Sequence, residues 1–182
     1  MDLLIQGMRR SGTTILYDLL LEEGGWDAYY EPLAEDKVTV GGGSNAHRFD
    51  LFSSVRAARS EFARTHSGYD VSALNHGAPR DPRLELEREL PEPVRAYLRQ
   101  LLSNAPRTMI KFTRMWRKVG VLAELAPDAL FVHVVRDPRA VTSSYLLGRG
   151  RRNLGRLRNE TPSSAGARAG AHGRASRCRS CS

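Results

Sequence analysis

The chain has 182 residues, enough for one α/β domain with a substantial core. Its net charge of +8 has the look of a nucleic-acid binder, yet residues 149–182 carry nine arginines against one acid, Glu160, while residues 1–148 hold nineteen basic and nineteen acidic side chains. The excess therefore lies in the tail. That argues against a folded part that reads nucleic acid, and no apolar run reaches the length of a membrane span.

The first apolar run, Leu3 to Gln6, is of strand type. It starts too early to leave room for a signal peptide, so the chain is expected to be cytoplasmic. Gly7 to Thr14 is a glycine-bounded loop, and from Thr13 the pattern becomes helical to about Glu23, with Ile15, Leu16, Leu19 and Leu20 on one face. Gly24-Gly25 stops that helix. Strand, glycine loop and helix together present backbone N–H groups and a helix N-terminus to an anion. The loop has the two-glycine spacing of a nucleotide-binding P-loop, but Thr13 stands where that motif has lysine. A nucleoside triphosphatase needs that lysine on its β and γ phosphates, so hydrolysis of ATP or GTP is disfavoured.

Trp26 to Tyr30 reads as a second strand, followed by Glu31-Pro32. The proline is expected to hold Glu31 extended at the strand's carboxyl end, the edge where open α/β sheets bind ligands. Lys37 to Asp50, with Gly41-Gly42-Gly43, is loop, either a substrate flap or a surface connection. Leu51 to Arg64 has the apolar spacing of an amphipathic helix, Tyr69 to Pro82 is irregular and holds His76, and Pro91 to Asn104 is a further helix with Val94, Leu98, Leu101 and Leu102 inward. Thr108 to Phe112 is a third strand. Lys111 lies within it and needs a partner there, because a buried ammonium is costly alone. Trp116 to Ala126 reads as helix.

Leu130 to Val135 is the most strand-like run and is expected to be a central parallel strand covered on both faces, with His133 in the core. Arg136-Asp137-Pro138-Arg139 follows at its carboxyl end, where Asp137 and Pro138 suit the start of a helix. Arg136 and Ser144 are eight residues apart, and they meet only if that helix folds back toward the loop. After Gly148 the composition becomes arginine, alanine, serine and glycine, with no hydrophobic period after Leu157. The expected division is a folded domain at 1–148 and a basic, unfolded tail at 149–182. The two cysteines, Cys178 and Cys181, both lie in that tail and supply only half a zinc site, so no metal is expected.

Two stretches carry a resemblance. Arg10-Ser11-Gly12-Thr13-Thr14 resembles the 5′-phosphosulfate loop of sulfotransferases, with Arg9 where that loop commonly has proline. Arg136 to Tyr145, Arg-Asp-Pro-Arg-Ala-Val-Thr-Ser-Ser-Tyr, resembles the 3′-phosphate motif of the same family. The resemblance spans roughly residues 3–147. It implies a P-loop-like α/β fold with a central parallel sheet, incomplete at the C-terminus, and transfer of a sulfuryl group from 3′-phosphoadenosine 5′-phosphosulfate to a hydroxyl or amine acceptor. Arg9, Arg10, Ser11, Gly12, Thr13, Thr14, Arg136 and Ser144 would hold this co-substrate, with no metal.

The histidine base of sulfotransferases that act on small molecules has no match in Ile110-Lys111-Phe112-Thr113-Arg114. The tyrosylprotein and some bacterial members use a glutamate twenty-one residues beyond the loop cation. Glu31 stands at that spacing from Arg10. The resemblance thus implies Glu31 as base, Arg10 at the leaving oxygen and Lys111 at the sulfuryl oxygens. Family members continue past Gly148 with further helices, so the tail is read as the product of truncation or a frameshift. Two other readings remain: an inactive nucleotide-binding remnant, and a P-loop kinase, which lacks its lysine at Thr13 and finds Arg136 where its acidic metal ligand belongs.

Overall fold

In the computed structural model the described residues are 1–34, 51–76 and 83–147. The expectations for Lys37 to Asp50 and for the tail from 149 lie outside them. The chain divides after Thr142: Met1–Thr142 form one compact unit, and of the second the described residues are 143–147. Four strands, β1 (Leu3–Gly7), β2 (Asp27–Tyr30), β3 (Thr108–Phe112) and β4 (Leu130–Val134), make one sheet in the order β2-β3-β1-β4. Every pairing is parallel, with Ile5 beside Lys111 and Val132, and Tyr30 beside Lys111. The fold is thus the expected α/β arrangement with a central parallel sheet.

β1 and β3 are the inner strands, and both are buried along their whole length. This is what covering on both faces by crossover helices requires. The helices are α1 (Thr13–Glu23), α2 (Ser53–Thr65), the single turn α3 (Arg83–Leu86), α4 (Glu92–Ser103), α5 (Val119–Leu125) and α6 (Pro138–Leu147), with short 3₁₀ turns at Val71–Leu74 and Trp116–Lys118. α2 buries Val55, Ala58 and Phe62, and α4 buries Val94, Tyr97, Leu98 and Leu101, so two amphipathic stripes supply much of the core. Gly24 and Gly25, at φ 76° and 75°, end α1 in a conformation that glycine adopts without strain.

One sequence expectation is corrected. β4 is an edge strand among the described residues, and His133 on it is exposed rather than in the core. An apolar, β-branched run reports that side chains prefer burial. It says nothing about the strand's place in the ladder, which the crossovers decide. α1 does not bury Ile15 and Leu19, which are 68% and 57% exposed; its fully buried side chains are Thr13 and Tyr17. The phase of that helix is set by Thr13, which packs beneath the loop, and by Tyr17, which lies edge-on to Tyr30 with ring centres 5.3 Å apart.

Candidate active site

In a parallel sheet all carboxyl ends lie on one edge, and each strand delivers one candidate there. β1 runs into the Gly7–Thr14 loop, β2 into Glu31, β3 carries Lys111 and runs into Thr113, and β4 runs into Arg136.

The loop turns back against its own strand. The Ser11 N–H and hydroxyl both donate to the Met8 carbonyl, at 3.1 and 2.7 Å. Ser11 therefore shapes the loop from inside, and its N–H does not face outward with those of Gly12, Thr13 and Thr14. Those three stand at the start of α1, where N–H groups lack intrahelical acceptors and carry the positive end of the helix dipole. Gly12 caps the helix at φ 106°, and Arg10 sits at φ 70°. At Gly7 a Cβ would lie 2.5 Å from the Val134 carbonyl oxygen and 2.7 Å from Ser11 Oγ, so only glycine lets strand, loop and β4 close together. Arg9 and Arg10 are exposed.

Glu31 and Lys111 are brought together from β2 and β3. Lys111 Nζ donates to Glu31 Oε1 at 2.6 Å, and their side chains are 2% and 4% exposed. Thr113 Oγ1 donates to Glu31 Oε2 at 3.0 Å, which holds the carboxylate by both oxygens. The ammonium also lies 4.4 Å from the centre of the Tyr30 ring, a cation–π contact. Tyr30 in turn shares a 3.0 Å hydrogen bond with Thr14 Oγ1, so the phosphate-type loop and the buried ion pair are linked through one phenol.

Glu31 is not extended as its following proline led one to expect. Its φ is +52°. The Glu31 N–H extends the β2–β3 ladder to the Lys111 carbonyl at 2.9 Å, and the Glu31 carbonyl accepts from Ala34 N–H at 3.0 Å. Ladder and turn demand opposite directions of the chain within one residue, and the left-handed conformation reconciles them. Such strain persists only where the surroundings over-determine it, and it concentrates at functional sites.

Arg136 is exposed and donates from Nη1 to the Arg10 carbonyl at 3.0 Å, which joins the end of β4 to the loop. Asp137 Oδ1 accepts from the Arg139 N–H at 2.6 Å and so caps α6. Ser144 lies on α6 within the second compact unit, whereas Arg136 belongs to the first. Thr113 and Tyr30 escaped the sequence reading. The signal was present, a hydroxyl two residues after an in-strand lysine and an aromatic before Glu31, but nothing linear shows that they converge.

The family model described as the sulfotransferase family matches residues 2–172. The chain belongs to the sulfotransferase family. No curated protein and no solved structure matches it. At the sheet edge of this sulfotransferase-family chain, the start of α1 and the exposed Arg9 and Arg10 stand beside the buried Glu31–Lys111 pair. Among the described residues no helix is long and apolar enough to cross a membrane, and no group of three or more His, Cys, Asp or Glu is placed to hold a metal ion.

Proposed function

We propose that this chain transfers a sulfuryl group from 3′-phosphoadenosine 5′-phosphosulfate to an acceptor hydroxyl, with Glu31 as the base, in the manner of the tyrosylprotein and bacterial branch of the family. The observation that carries this reading is the buried Glu31–Lys111 pair at the carboxyl edge of the sheet, linked to the anion loop through Tyr30 and Thr14. A surface glutamate beside a proline would need neither burial nor two donors.

Gly12, Thr13 and Thr14 offer N–H groups to the 5′ end of the donor, with Arg9 and Arg10 adding charge. Arg136 takes the 3′-phosphate, for which the planar fork of arginine is suited. The acceptor oxygen attacks sulfur as its proton passes to the Glu31 carboxylate. The bond from sulfur to the bridging oxygen breaks, and its electron pair stays on that oxygen as adenosine 3′,5′-bisphosphate leaves. Arg10 stabilises this developing charge. Lys111 and Thr113 fix the carboxylate, and Lys111 supplies positive charge beside the sulfuryl oxygens. The reaction proceeds through a loose transition state in which positioning and electrostatics do most of the catalysis, as in phosphoryl transfer. Residues 1–148 form the transferring domain.

The test is titration calorimetry with adenosine 3′,5′-bisphosphate, followed by single-turnover transfer from sulfur-labelled donor to a panel of phenols, alcohols and tyrosine peptides. Glu31→Gln keeps the shape and loses the proton acceptor. It should leave nucleotide binding unchanged and slow transfer by roughly 10²–10⁴-fold. A Glu31→Gln chain as fast as the parent would place the base elsewhere, and absence of bisphosphate binding would refute the donor.

A further inference from the structure

Arg59 is charged, 6% exposed and distant in sequence from every motif above. It lies on the inner face of α2 between Ala58 and Phe62, positions that otherwise bury apolar side chains. Its guanidinium wraps the turn that follows β2. Nε and Nη2 both donate to the Pro32 carbonyl, at 3.2 and 2.8 Å, Nη2 also reaches the Ala34 carbonyl at 3.4 Å, and Nη1 donates to Asn75 Oδ1 at 3.1 Å. The partners that the described residues supply are oxygens of neutral groups. Taking a guanidinium out of water is costly, and an apolar side chain of similar volume commonly serves stability as well, so stability alone does not call for an arginine here. Burial accordingly pulls its pKa down.

We infer that Arg59 is a positioning residue, whose fork on the Pro32 and Ala34 carbonyls clamps the Glu31–Ala34 turn and so holds Glu31 in the strained geometry that aims its carboxylate at Lys111 and the acceptor. The functional half of this inference rests on Glu31 being the base; the structural half does not. Pro32 has no N–H and cannot anchor the turn itself, and the closing bond from Ala34 N–H to the Glu31 carbonyl is a single hydrogen bond. The left-handed Glu31 needs a force from outside the turn. Arg59 supplies it by holding the peptide on the far side of Pro32, and Asn75, from the turn after Val71–Leu74, orients the guanidinium. Arginine suits this place because its several donors sit in one rigid plane, whereas lysine offers a point charge.

The experiment compares the full chain with Arg59→Met, Arg59→Lys and Asn75→Ala by amide hydrogen exchange and by the one-bond Cα–Hα coupling of Glu31, which distinguishes positive from negative φ. In Arg59→Met the Glu31 N–H should exchange at least tenfold faster and the coupling should lose its positive-φ value, while Ile5 and Ile110 in the inner strands keep their protection. Arg59→Lys should fall between, and Asn75→Ala should show a smaller change of the same sign. If Arg59→Met does not fold, Arg59→Lys carries the test. Any folded Arg59 variant with an unchanged Glu31 overturns the inference, as does a loss of protection spread evenly over the inner strands. Transfer from labelled donor separates the two claims. A Glu31 that moves in a protein binding no adenosine 3′,5′-bisphosphate leaves the clamp standing and removes the proposed reaction.

Discussion

Removing Lys111 should unfold this protein's margin of stability more than most single substitutions, and the structure says by how much. Lys111 and Glu31 are almost wholly buried, at 2% and 4% exposure, and their charges meet at 2.6 Å. Lys111→Met leaves a buried carboxylate with Thr113 as its remaining side-chain donor. Breaking a buried pair from one side costs about 3–5 kcal/mol, because the uncompensated charge stays in the interior. Glu31→Gln should cost a similar amount, now through an ammonium left with a weak amide acceptor. The double variant removes both charges and should cost about as much as either single one. The coupling energy is therefore about 3–5 kcal/mol. Urea unfolding, followed by the fluorescence of Trp26 and Trp116, reads this as midpoint shifts at constant slope. If the two single costs add to within about 0.5 kcal/mol, the side chains do not form the pair on which the proposed site depends.

Arg136→Ala should weaken adenosine 3′,5′-bisphosphate by about 1.5–3 kcal/mol, the worth of a charge-assisted hydrogen bond, as measured by calorimetry. Because Arg136 also braces the Arg10 carbonyl, adenosine 5′-phosphate should lose affinity too, but less; equal losses would remove the 3′-phosphate assignment. Arg10→Ala should lower the single-turnover rate more than donor affinity, since its charge is needed most as the bridging oxygen leaves, and a parental rate would refute that role. His76 gives a pH dependence. Burial, and secondarily the Lys118 ammonium, lower its pKa below the ordinary 6.5. Below that value the unfolded chain takes up a proton that the folded chain refuses, so stability falls as pH drops through 6.5 toward the folded pKa. His76→Asn should flatten this part of a plot of unfolding midpoint against pH, and an unchanged slope would show that other groups set it.

What could be read from the linear chain is what short-range physics controls. Leu3 to Glu23 declared strand, glycine loop and helix because the period of apolar residues and the glycines at each end are local constraints. The same holds for the strand at Thr108–Phe112 and for the Asp137 cap. Lys111 advertised a partner, since an ammonium inside an apolar strand is untenable alone.

The tertiary structure decided which partner, and several matters that no period encodes. Parallel pairing brought Glu31 from β2 against Lys111 of β3, eighty residues along the chain. It placed β4 at the edge among the described residues and exposed His133, although the composition of β4 suits an inner strand. Packing under the loop, rather than the apolar stripe, set the phase of α1 and left Ile15 and Leu19 outside. Glu31 took a left-handed conformation against the preference of a residue before proline, because a ladder hydrogen bond and a turn hydrogen bond meet there. Local rules rank the conformations of a residue by a kcal/mol or so; contacts between distant segments are worth more, and at Glu31 and Arg59 they override the local preference.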